Sequence, residues 1–240
     1  MIESNGSYLM IDCSGSPYRK LLQLGIDTDK LQHVLITHEH VDHVYALPSL
    51  VECLWIKGRK EPLHIYALPS AMKVVETLLD LWELRDRFIN KFPIHLHVIH
   101  GHEDELVLKT PEFTVRTTPT VHAVPSVATK LIFPSGKTFV YSSDTAPCQT
   151  LIDFARGVDT FLMECTFCDA DGELAEITRH IHTSEYRDVA AEVGAANTIL
   201  IHHSDQSICS RKAILQELGK EPAFSQKFSM ALDFENVDLG

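Results

Sequence analysis

Apolar and polar positions run along this chain with two different periods. Short apolar or β-branched runs at 7–14, 32–37, 63–68, 94–100, 104–109, 112–118, 129–133, 138–142, 159–164 and 198–202 predict strands. Helical spacing predicts helices at 17–26, 41–57 (despite Pro48), 71–84 (opened by Pro69-Ser70), 146–155, 183–194 and 208–219. Strand–helix alternation at both ends, flanking a strand-rich middle, is an α/β pattern in which helices cover the outer faces of sheets. No repeat, low-complexity tract or Pro/Gly-rich linker breaks it, so residues 1–240 read as one domain.

Composition narrows the function only a little. Hydrophobic residues make up 45% and charged residues 22%, values of a globular chain with a sizeable core. The formal charge of −12, with no lysine- or arginine-rich run, argues against broad nucleic-acid binding. Neither a membrane-spanning apolar stretch nor a signal-peptide pattern is present, which makes a cytoplasmic location the expectation. Six cysteines are too sparse for a disulfide scaffold, and the CxxC pair Cys165 and Cys168 reads as buried thiols at a strand end.

The stretch "ITHEHVDHVYAL" (36–47) changes the picture. It crowds His38, His40, Asp42 and His43 onto a strand-to-helix loop, and imidazole and carboxylate are natural ligands for zinc or another borderline first-row cation. It is not an HExxH motif, because Asp42 occupies the fourth position after His38. A polar surface loop could hold the same residues, so the decision rests on ligands arriving elsewhere. His122, Asp144 and His202 do so, each after a predicted strand, at the kind of edge where parallel sheets collect ligand-binding loops. Together the four points of the chain fit one site holding two metals.

The series HxHxDH, then a lone His, an Asp and a final His resembles the metallo-β-lactamase superfamily. Within it, "YSSDTAPCQTLIDFARGVDTFLMECTF" (141–167), "HIHTS" (180–184) and "IHHS" (201–204) are similar to the RNase Z-like phosphodiesterase branch. The resemblance implies a four-layer αββα metallo-β-lactamase-like sandwich and a homodimer. It implies one Zn2+ on His38, His40 and His122, a second on Asp42, His43 and His202, and Asp144 bridging both; Mn2+ or Fe2+ suits the same ligands. His202 is preferred to His203 because the family's H-x-S pattern fits His202-His203-Ser204. The implied chemistry is hydrolysis of a phosphodiester by a metal-activated hydroxide. Asp42 would orient that nucleophile or take its proton. His182, polarised by Glu164, would protonate the leaving alkoxide; a plain ion pair of Glu164 with Arg179 is the alternative.

Other signals carry less. His95, His97, His100 and His102 lie in "PIHLHVIHGH", where His95 and His97 share one strand face without an acid or cysteine to complete a metal set. Ser126 is either a phosphate contact or a turn hydroxyl. Three features depart from the tRNA-processing members of the family. Only 21 residues separate His122 from Asp144, where the bacterial form would carry a tRNA-gripping arm. A first strand and Gly-rich turn usually precede the segment matching "SYLMIDCS", and the chain is acidic. The expected activity is therefore hydrolysis of a small or cyclic phosphodiester, with an RNase Z-type tRNA 3′ endonuclease and a non-enzymatic metal-binding or sensor module as alternatives. Sulfatase or lactonase chemistry is open to the same metals.

Overall fold

The computed structural model describes residues 1–85, 92–203, 210–219, 228–232 and 234–239. Its chain gathers into two compact units, Met1–His100 and Gly101–Gly240.

The first unit holds a five-stranded sheet in chain order, β1 (Ile2–Ser4), β2 (Ser7–Ile11), β3 (Leu31–Ile36), β4 (Leu63–Ala67) and β5 (Ile94–Val98). β1 was not predicted, being three residues long. It pairs antiparallel with β2 through Asn5-Gly6, both at positive φ (49° and 76°), as a two-residue hairpin turn requires. The remaining pairs are parallel and need crossovers. These are α1 (Pro17–Gln23), then α2 (Val41–Val44) with α3 (Leu47–Ile56), and α4 (Pro69–Leu81). The single helix expected over 41–57 is two helices. Pro48 has no N–H to donate and is accommodated in the first turn of α3. Val34, Ile36, Ile65 and Leu96 pack with Leu50, Leu54, Val75 and Leu79 of the helices into one core.

Alternation sends His33, His64, Tyr66, His95 and His97 to the opposite face. The register places His33 beside His64, His64 beside His95, and Tyr66 beside His97. Burial first, and then the neighbouring imidazoles His97 and His95, push the His64 pKa down; burial and His95 do the same to His97. Tyr66 is pushed up to about 12 by burial. A base whose folded pKa is depressed binds fewer protons folded than unfolded, so its penalty builds as pH falls below the unfolded value of about 6.5. Thermal melts should therefore lose stability below that pH, and His64→Gln should reduce the loss; parallel pH profiles for the two proteins would contradict this.

The second unit carries a seven-stranded sheet. Its elements are β6 (Glu105–Lys109), β7 (Thr114–Pro119), β8 (Val127–Ile132), β9 (Thr138–Tyr141), α5 (Gln149–Ala155), β10 (Thr160–Glu164), α6 (Gly172–Thr178), α7 (Thr183–Val193), β11 (Asn197–Ile201), α8 (Arg211–Leu218) and β12 (Phe228–Met230). The order across the sheet is β12-β11-β10-β9-β8-β7-β6, antiparallel from β6 to β9 and parallel from β9 to β12. Two antiparallel steps separate β7 from β9, so the C-terminal ends of β7, β9, β10 and β11 all fall on one edge. Val140, Phe161, Met163, Leu200, Tyr186 and Val189 build its core with α5, α7 and α8. α5 begins at Gln149 rather than 146, because Ala146 is held extended by its N–H to the Val121 carbonyl. α6 and β12 were not predicted. Positions 208 and 209 of the last predicted helix, and Ser204 of the H-x-S pattern, lie outside the described residues. Cys165 is a buried free thiol, whereas Cys168 is disulfide-bonded rather than free. Among the described residues no helix is long and apolar enough to cross a membrane.

Candidate metal centre

In the first unit the ligand-rich loop follows β3. Thr37 and His38 are fully buried there, and His40 stands at the N-terminus of α2, which carries Asp42 and His43 in its single turn. The residue that organises them was not among the predicted set. Asp12, at the end of the adjacent β2, adopts a left-handed conformation (φ 59°) that ends the strand. Its Oδ1 accepts the Thr37 N–H at 2.9 Å, both its oxygens lie 3.0–3.1 Å from Thr37 Oγ1, and its Oδ2 lies 2.8 Å from His43 Nδ1. The Thr37 hydroxyl has one proton, which goes to Asp12, so His38 Nδ1, 3.1 Å from Thr37 Oγ1, must be the protonated nitrogen. His38 Nε2 then faces His40 Nδ1 at 3.2 Å, and His43 Nε2 stands 3.5 Å from Asp42 Oδ2.

The second unit repeats this logic. His202, with φ of 58°, directs Nδ1 to Thr166 Oγ1 at 2.9 Å, and Thr166 gives its proton to Glu164 Oε2 at 2.7 Å. His122 places Nδ1 3.1 Å from the Arg179 carbonyl, while the Arg179 guanidinium donates back to the His122 carbonyl. Their Nε2 atoms converge on Asp144: His202 is 3.5 Å from Oδ1 and His122 is 3.9 Å from Oδ2. Asp144 is buried, follows Ser143 at φ 56°, and so presents a different oxygen to each ring. Ser126 is buried against Ser143 and the Asp144 carbonyl, the turn-stabilising arrangement.

These spacings fit a cation. Two ligand atoms about 2.0–2.2 Å from a tetrahedral zinc stand roughly 3.3–3.5 Å apart. In His38, His43, His122 and His202 alike, Nδ1 is tied to an oxygen and Nε2 is turned to another donor atom, the arrangement that orients metal-binding imidazoles.

Glu164 departs from the expected pairing. Its buried carboxylate accepts from Thr145 N–H (2.7 Å), Ile181 N–H (3.1 Å) and Thr166, and its histidine partner is His180, at 2.9 Å, not His182. His180 also stacks on His202, with ring centroids 5.4 Å apart, and Asp144, His180 and His202 bring donor atoms within 4.8 Å of one another. His182 is instead the N-cap residue of α7, where its Nδ1 meets Asp169 Oδ1 at 2.8 Å. Burial opposes the Asp169 charge, yet hydrogen bonds from Ser184, Thr183 and His182 hold its carboxyl well below the usual carboxylate range. The helix N-terminus draws both groups away from Glu164. Arg179 is engaged by His122, not by Glu164.

A model of the β-lactamase superfamily domain matches residues 8–203. The chain belongs to the β-lactamase superfamily. As a member it is a hydrolase, and the match runs through both units. It is 23% identical to a ribonuclease Z of Methanosarcina acetivorans, over 92% of this chain and 86% of that one. Among solved structures it resembles the metallo-β-lactamase fold protein YhfI of Bacillus subtilis, at 23% identity and a TM-score of 0.76, covering 96% of this chain and 87% of that one. It also resembles the short form of human tRNase Z, at 17% identity and a TM-score of 0.79, covering 100% and 91%. The fold is therefore the metallo-β-lactamase fold that the HxHxDH series implied.

The residues missed in the sequence are Asp12, Thr37, Thr166 and His180. Asp12 had a legible signal, since it ends an apolar run as Asp144 and Glu164 do.

Proposed function

We propose that this chain is a dinuclear metal-dependent phosphodiesterase acting on a small or cyclic phosphodiester. The observation that carries the reading is Asp144, buried with one oxygen toward His122 and the other toward His202. That arrangement supports the reading of Asp144 as a carboxylate shared by two cations. We assign His38, His40 and His122 to one cation and Asp42, His43 and His202 to the other, zinc first, with Mn2+ or Fe2+ suiting the same donors. Bound there, the pair of cations would supply an activated water and neutralise charge on the phosphate.

The chain's own residues supply the rest. Asp42, whose side chain is exposed beside His43, is placed to take the proton of the attacking water. His180, anchored through Nδ1 on Glu164, is the donor to the leaving alkoxide, the role the sequence had suggested for His182. Asp12, through Thr37 and directly, keeps His38 and His43 in the tautomer that leaves Nε2 open. Asp12→Ala should weaken zinc binding by roughly 10–100-fold, the range for partners of metal ligands. A chelator competition titration reads this directly, and unchanged affinity would remove Asp12 from the scheme.

The preference for a small substrate rests on the stretch between His122 and Asp144. It is taken up by β8, the turn at Gly136 (φ 84°) and β9, with no insert for a tRNA-gripping arm, and the net charge is −12. A second reading, a tRNA 3′ endonuclease, is supported by relatives that bear the name ribonuclease Z. A panel of bis(p-nitrophenyl) phosphate, a cyclic nucleotide and precursor tRNA, each with and without chelator, separates the readings. Turnover of the small diesters that vanishes on chelation is expected. Cleavage of precursor tRNA alone would favour the endonuclease, and no metal-dependent turnover of any substrate would leave the non-enzymatic module. We place the enzyme in the cytoplasm as a homodimer, a state that sedimentation tests.

A further inference from the structure

The imidazoles on the far face of the Met1–His100 sheet belong to none of the roles above. We propose that His64, His95 and His97 form a second cation site, for a borderline divalent transition metal of the zinc, copper(II) or nickel class. Neither the strand alternation of β5 nor the register alone assembles it; both are needed. His95 and His97 lie two residues apart on one face of an edge strand, and β4 brings His64 against both.

The geometry is close to that of a chelate. His64 Nδ1 and His97 Nε2 are 2.9 Å apart, a separation at which one proton is held between two nitrogen lone pairs. Two imidazoles on a tetrahedral zinc, at about 2.0–2.1 Å each, stand roughly 3.3 Å apart, so the rings need part by only ~0.4 Å to exchange that proton for a cation. His95 is the register partner of His64, with ring centroids 5.0 Å apart, and is exposed. The site needs the exposed His95 side chain to turn until one of its nitrogens joins the pair as the third donor, which leaves one position for water. Behind them, Tyr66 stacks on His97 at 4.6 Å and buried His33 lies 5.5 Å from His64, which limits how far the rings can swing.

The chemistry selects the class of ion. An imidazole-only set suits zinc, copper and nickel and is a poor match for magnesium or calcium. Burial and the neighbouring imidazoles lower the proton affinity of His64 and His97, which favours their lone pairs being available to a cation. In the sequence His95 and His97 have no further ligand beside them; the fold supplies His64, 31 positions before His95.

Zinc itself is the probe. The full chain and the variant His95→Asn/His97→Asn are equilibrated with the same excess of free zinc near neutral pH, and zinc per chain is counted by elemental analysis. The wild type should retain one zinc more than the variant, and the difference should disappear when the pH is lowered enough to protonate the cluster. His64→Asn should give the same loss, and magnesium should produce no difference. Equal zinc content in wild type and folded variants overturns the proposal. If a variant fails to fold, long-range 1H–15N spectra of the wild type decide: zinc must shift the His64 and His97 ring nitrogens to metal-bound values, and unmoved resonances overturn it equally.

Discussion

Asp144→Ala is expected to lose at least about a thousandfold in kcat/KM toward bis(p-nitrophenyl) phosphate, a barrier increase of roughly 4 kcal/mol. The size follows from position. The two oxygens of Asp144 face two different imidazoles, 3.5 and 3.9 Å away, so its removal disturbs both proposed cation positions together. Zinc content should fall in the same preparation. Stability should move the other way or not at all, because a buried carboxylate held for a ligand is costly in the metal-free protein. Melting in the presence of chelator reads that term, and a large drop in melting temperature would mean that Asp144 is structural. Wild-type turnover with full zinc content in Asp144→Ala would end the bridging assignment.

The second large effect separates His180 from His182. In the proposed mechanism His180, with Glu164 on its Nδ1, donates the proton to the leaving oxygen, and general acid catalysis contributes about 10²–10⁴-fold. His180→Ala should lower kcat by that range for a diester with an alkyl leaving group. For bis(p-nitrophenyl) phosphate, whose acidic phenol departs without a proton, the loss should stay within about tenfold. A merely structural His180 would lower both rates alike. His182→Ala should instead act on stability, by roughly 1 kcal/mol through the α7 N-terminus it shares with Asp169, and leave the leaving-group dependence as in the wild type. The reverse pattern would restore His182 as the donor.

Glu164 illustrates how much the sequence could say about a single side chain. A carboxylate at the end of the apolar run "TFLME" must have partners, since burial without them is prohibitive. Its position and its need for a partner were both legible, and the family resemblance implied that the partner is a histidine. The choice between His180 and His182, two residues apart in "RHIHTS", was not. It depends on where α7 begins and on Asp169 reaching its N-terminus, neither of which periodicity reports. α2 and α3 show the same limit: helical spacing over 41–57 was read correctly as helix, but the break before Pro48 is a matter of local backbone hydrogen bonding. The β1 hairpin is the opposite case, since Asn5-Gly6 was a turn signal in plain view and β1 was simply too short to register as periodic.

By itself the sequence determined the α/β class, most of the strands and helices, and the chemical character of the site. Period-two and period-3.6 patterns mark which residues are buried and where each strand stops, and His and Asp at those stops carry a metal's preferred donors. Only the tertiary structure decided which acceptor meets which ring. The threonine relays through Thr37 and Thr166, the clamp by Asp12 and the His64–His97 contact join residues 25 to 36 positions apart, and some of them turn on a left-handed backbone at Asp12 or His202. Strand register and a few positive φ angles set those meetings, and neither quantity is written in the order of hydrophobic and polar residues.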